Sequence, residues 1–135
     1  MHIARLAFAA ALMAVAAPTL AQEAPTSIVS TYRAAPGQQV ALLKWFAQQD
    51  EIAKAAGVPT GQLYVHQQGA SWDFVLVSPF TTPAQDKALD DAAKKLGYTY
   101  GPAVGLELRK YIAEHTDTLV AGPTTAAAWL KVVGK

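Results

Sequence analysis

The sequence predicts an α+β domain in the split βαβ order, with a four-stranded antiparallel sheet carrying helices on one face. Three observations lead there. Gln62 to Val77 alternates with period two on both sides of a Gly69-Ala70 turn signal, the pattern of a β-hairpin. Gln38 to Ala56 and Thr82 to Leu96 flank that hairpin with apolar stripes at helical spacing. Ile28 to Arg33 and Thr116 to Ala121 have strand propensity, and each is followed by a Gly/Pro break, at Pro36-Gly37 and Gly122-Pro123.

The amino terminus is of a different kind. Arg5, an apolar run from Leu6 to Ala17 and a small-residue exit at Thr19-Leu20-Ala21 follow the order of a secretory signal peptide. Cleavage is expected after Ala21, leaving residues 22–135 as a single domain in the periplasm or outside the cell. The apolar run is shorter than the about 20 residues a membrane span needs, so no membrane attachment is expected after cleavage. Arg5 departs with the leader, and the remainder then holds equal numbers of basic and acidic residues. That balance gives no electrostatic basis for binding nucleic acid or an anionic membrane. The chain has no cysteine, so its stability must come from packing or from association with another copy.

In chain order, Ile28 to Arg33 reads as the first strand. The helix from Gln38 to Ala56 puts Leu42, Trp45, Phe46, Ile52, Ala53 and Ala56 on one stripe, with Gly57 as its left-handed cap. In the hairpin, Gly69 at the first central position of a type II′ turn opposes Gln67 to Trp72, His66 to Asp73, Val65 to Phe74 and Tyr64 to Val75. One face then carries Leu63, Val65, Trp72, Phe74 and Leu76, suited to lie under helices. The other carries Tyr64, His66, Asp73, Val75 and Val77. Thr82-Pro83-Ala84-Gln85 has an N-cap, a proline at the first helical position and a glutamine three residues after the cap. The helix it starts has Ala88, Leu89, Ala92 and Leu96 inward, and Gly97 ends it. Val104 to Glu114 reads as a short helix burying Leu108, Tyr111 and Ile112. Thr116 to Ala121 reads as the last strand, and Thr124 to Val133 as a terminal helix.

The order, with the segments YRAAPGQQVALLKWF and GASWDFVLVSPF, resembles the dimeric α+β barrel superfamily of small ferredoxin-like domains, which includes antibiotic-biosynthesis monooxygenase-like and NIPSNAP-like proteins. The resemblance implies a homodimer. It carries no functional residue over, because its members range from cofactor-independent oxygenases and haem enzymes to proteins without known activity.

Catalytic signatures are sparse. There is no G-x-S-x-G elbow and no Cys nucleophile. After the leader only His66 and His115 remain, without metal-ligand spacing, so neither a metal nor a cofactor is expected. His66 with Asp73 is the candidate catalytic pair, an imidazole oriented by a carboxylate and able to act as a general base beside Tyr64. His115 with Asp117 is a second pairing, read as a histidine near a helix carboxyl end. The function expected first is an exported domain that binds a small hydrophobic molecule or a partner through Tyr64, His66, Asp73, Val75 and Val77. The alternative is a cofactor-independent, monooxygenase-like enzyme using His66 and Asp73. The half-apolar face carrying these residues also predicts a homodimer with the two sheets face to face.

Overall fold

The computed structural model describes residues 26–69 and 72–134 of the 135-residue chain. The expected leader lies outside the described residues, as does Ala70, half of the expected turn.

Four strands, β1 (Thr26–Ala34), β2 (Gln62–Val65), β3 (Phe74–Pro79) and β4 (Ile112–Ala121), form one sheet in the order β2-β3-β1-β4, with every neighbouring pair antiparallel. Four helices accompany them: α1 (Gln39–Ala56), α2 (Pro83–Leu96), α3 (Ala103–Leu108) and α4 (Ala126–Val133). The hairpin register is the expected one, with Val65 opposite Phe74 and Tyr64 opposite Val75. Beyond the last ladder pair, His66 N–H donates to the Asp73 carbonyl at 2.9 Å. Gly69 has a φ of 109°, in the positive region that glycine adopts without a Cβ penalty.

The core lies between α1 and the central strands. Leu42, Trp45 and Phe46, three and four residues apart on α1, bury themselves against Tyr32 and Ala34 of β1, Phe74 of β3 and Leu108 of α3. Phe46 is the hub, with edge-on contacts to Tyr32 at 5.0 Å, Trp45 at 5.6 Å and Phe74 at 5.8 Å between ring centroids. A second cluster, Ile52 with Ala92 and Ala93, joins α1 to α2. Gly61 lets β2 start tightly against β3: a Cβ there would fall 2.7 Å from Ser78 Oγ and 2.8 Å from Leu76 Cδ1.

Three sequence expectations are corrected. On α2 Ala92 is buried and Leu89 packs against the second cluster as expected, but Ala93 is buried as well and Leu96 is 39 % exposed, so the inward stripe does not extend to the end of the helix. α3 ends at Leu108 instead of Glu114, and β4 begins at Ile112, four residues before the expected Thr116. Leu108, Tyr111 and Ile112 have helical spacing, but the free edge of β1 offers a hydrogen-bond ladder, and Ile112 pairs with Ala34 in it. Tyr111 and Ile112 still pack against the core. Ladder formation against a buried central strand here overrides a weak helical pattern.

Antiparallel pairing places cross-strand partners on the same face, so the register defines both sides of the sheet. Tyr32, Phe74 and Leu76 look toward the helices. The opposite face carries Ser27, Val29, Thr31 and Arg33 from β1, Gln62 and Tyr64 from β2, Val75 and Val77 from β3, and Glu114, Thr116, Thr118 and Val120 from β4. Tyr64 is 52 % exposed there, and no residue of α4 is buried. This face is open.

Candidate functional site

The sheet has two candidate sites, the hairpin tip with His66 and Asp73 and the opposite end of the open face. At the tip, the register brings His66 and Asp73 together as expected, but their side chains go elsewhere. Asp73 Oδ2 accepts the Ala34 N–H at 2.7 Å. Ala34 is where the β1–β4 register shifts, because Ala113 is an extra residue on β4. A bulge leaves backbone groups without ladder partners, and the carboxylate takes one of them. The His66 ring instead lies 5.1 Å from that of Trp72, and its buried Nε2 has no hydrogen-bond partner among the described residues. No hydrogen bond or ion pair joins the two side chains among the described residues, so a carboxylate-oriented imidazole is not formed at this tip.

At the other end of the open face is a cavity of about 500 Å³. It spans all four strands: Gln62 and Tyr64 from β2, Val77, Ser78 and Pro79 from β3, Ser27 from β1, and Val120 and Ala121 from β4, with Thr60 beside them. Gly122, Pro123 and Thr124, the link to α4, form part of its rim. The Tyr64 hydroxyl donates to Gln62 Oε1 at 3.1 Å, which adds one amide and one phenol to a lining that also carries the hydroxyls of Ser27, Thr60, Ser78 and Thr124. Among the residues of the expected binding face, Tyr64 and Val77 line this cavity. His66, Asp73 and Val75 do not. Asp73 sits four residues from Val77, about 13 Å along the strand at about 3.3 Å per residue. The rim residues 122–124 and the contribution of Val120 were not legible from the hairpin alone, since they depend on β4 lying beside β1.

A third polar group lies on the helix-facing side of the sheet. Ser30 Oγ donates to Asp117 Oδ1 at 2.6 Å, Asp117 Oδ2 is 3.6 Å from His115 Nε2, and the His115 ring stacks on Tyr32 at 5.8 Å with 9° between planes. His115 is therefore on strand β4, not at a helix carboxyl end as expected. Ser30 and Tyr32 were missed because only the pairing of β1 with β4 brings them to His115. Burial pushes the Tyr32 phenol above its ordinary range, the neighbouring Asp117 charge adds to that, and a hydrogen bond with Ser30 opposes it. The cluster joins the two strands in the manner of cross-strand pairs, complementing the Thr31 and Thr116 hydroxyls, 2.7 Å apart on the other face. Among the described residues no group of three or more potential metal ligands converges.

No protein-family model matches the chain, and no curated protein matches it in sequence. In structure it is similar to the protein Atu4242 from Agrobacterium tumefaciens, with a TM-score of 0.50, 13% identity, and coverage of 75% of this chain and 95% of that one. The fold is ferredoxin-like. Fainter likenesses are to a protein from Bacteroides fragilis described as dimeric, ferredoxin-like and of unknown function (TM-score 0.46, 13% identity, 72% and 95% covered). A NIPSNAP domain protein from Burkholderia xenovorans is also similar (TM-score 0.44, 14% identity, 75% and 97% covered). At such identities the ferredoxin-like likeness shows the fold and carries no residue roles.

Proposed function

We propose that this protein is an exported homodimeric binding domain that holds a small, uncharged, partly apolar molecule in the cavity at the end of its open sheet face. The observation that carries this reading is the cavity's chemistry: among the described residues that line it, none carries a carboxylate, amine, guanidinium or imidazole. A volume of about 500 Å³ falls within the roughly 300–1,000 Å³ of small-molecule pockets, and an apolar lining with a few polar groups is their usual composition. Val77, Pro79, Val120 and Pro123 supply apolar wall, while Tyr64, Gln62 and Ser27 supply donors and acceptors that orient a hydroxyl or carbonyl. Proton transfer by a general base has little support here, because the nearest expected base pair is at the far end of the sheet with its carboxylate committed to Ala34. The homodimer is supported by the open face itself, where Val29, Val75 and Val77 sit side by side across two strands. Export is supported by the tripartite amino terminus.

Native mass spectrometry of protein purified from its producing cells tests this reading. The expected result is a dimer, its chains beginning near Gln22, with a bound molecule of a few hundred daltons that organic extraction removes. Tyr64→Phe should weaken rebinding of that molecule by about threefold to tenfold, the worth of one neutral hydrogen bond. A monomer with nothing bound, which takes up no uncharged compound from an extract of the same cells, would overturn it.

A further inference from the structure

Resting on the homodimer proposed above, we infer that α4 of each protomer crosses to its partner and lies over the partner's open-face cavity. The binding site is then complete only in the dimer. α4 is an unsatisfied element among the described residues. Its eight residues, AAAWLKVV, include one charged side chain, Lys131, and its apolar positions run all the way round. A helix that is apolar on every side is a buried helix, and one of this length is marginal in water without packing. Yet none of its residues is buried: Trp129 is 41 % exposed, Leu130 66 % and Val133 59 %. The helix is nonetheless well started, with Thr125 Oγ1 accepting the Ala128 N–H at 3.1 Å.

The link to α4 forms part of the cavity rim, so the helix leaves from the edge of the surface that most needs a cover. In its own protomer it does not pack on that surface. A two-fold axis over the open faces brings the partner's cavity within reach and makes the same contact twice, as an isologous interface must. Area points the same way. Four strands about 4.8 Å apart and about 20 Å long present roughly 400 Å² in projection, about half of the roughly 800 Å² per partner of a stable interface. The helix each protomer gives, about 12 Å long and 10 Å wide, adds roughly 120 Å² to its side, while the helix it receives covers face already counted. Trp129 and Val133, one turn apart, share the face that would meet the cavity. A lipid surface suits α4 less well, because interfacial helices pair their apolar side with a Lys/Arg-rich one and α4 has only Lys131.

The chain has no cysteine, which makes cross-linking unambiguous. Gln62→Cys on the cavity wall and Leu130→Cys on α4 are both exposed positions that should fold normally. Mixing the two single variants with a bismaleimide of about 10 Å span should give a covalent heterodimer in several-fold higher yield than either variant alone. A chain ending at Thr125 should show at least a tenfold weaker dimer Kd by sedimentation equilibrium. A dimer with no 62-to-130 cross-link between chains overturns the crossing of α4 but leaves the face-to-face dimer standing; a monomer overturns both. An adduct formed only within one chain, in the double variant, also overturns the crossing. Cosedimentation with phosphatidylglycerol vesicles that Trp129→Ser abolishes would overturn it in favour of a membrane.

Discussion

At the scale of single residues, Asp73 is the side chain whose chemistry changed most between sequence and structure. From the sequence it faces His66 and invites a catalytic reading, whereas in the fold it is the acceptor for a backbone N–H at a bulge. A hydrogen bond to a charged group contributes about 1.5–3 kcal/mol. Asp73→Ala is therefore expected to lower stability by about that much in urea titrations, and Asp73→Asn, which keeps an acceptor, to lower it less. A change that instead left the denaturation midpoint where it was would remove the structural role. Tyr32 supplies a pH signature. Its folded-state pKa lies above the ordinary value of 10.0, chiefly through burial, so the neutral phenol is the form that folding favours. The resulting stability is fully present below about pH 10 and is lost as the pH rises through the folded-state value. Melting curves between pH 8 and 11 should show the wild type losing stability more steeply than Tyr32→Phe. Equal slopes would contradict this.

At the scale of elements, legibility followed locality. The start of α2 was fully readable because every part of it is local: Thr82 Oγ1 accepts the Gln85 N–H at 3.3 Å, and Gln85 Oε1 accepts the Thr82 N–H at 2.9 Å. α1 was readable for the same reason, with Leu42, Trp45, Phe46, Ile52 and Ala53 buried as the stripe predicts. The hairpin register was readable because the period-two alternation of both arms allows few pairings that keep each face together. What failed was the region from Tyr111 to His115, where the same residues suit a helix or a strand and the deciding partner, β1, is nearly eighty residues earlier. The cavity failed for that reason too. Tyr64 and Val77 were within the hairpin and were found; Ser27 comes from β1, and Val120 and Pro123 from the end of β4 and the link after it, and they were not. A polar strand face is easily recognised along one segment, while a site made by four strands exists only after pairing.

At the scale of the whole molecule, the described residues leave the sheet with one covered and one uncovered side, and α4 is uncovered as well. β1, formed first in the chain, is flanked by β3 and by β4, so that Ser27 pairs with both Pro79 and Val120. The second of these contacts spans most of the domain. Long-range pairings of this kind delay folding, because loop closure must be paid before the contact rewards it. Until β4 arrives, the central strand is a bare template of unpaired N–H and C=O groups, open to any other extended chain. A chain ending at Lys110 would hold that state permanently, and it is expected to associate into β-rich aggregates that bind thioflavin T, where the complete chain stays clear. A soluble, monomeric truncation would show that β1 does not depend on its last neighbour. In the complete fold β4 covers the edge of β1 and becomes the edge strand in its place, so the interval between the synthesis of β1 and the pairing of β4 is when the chain has most need of a chaperone.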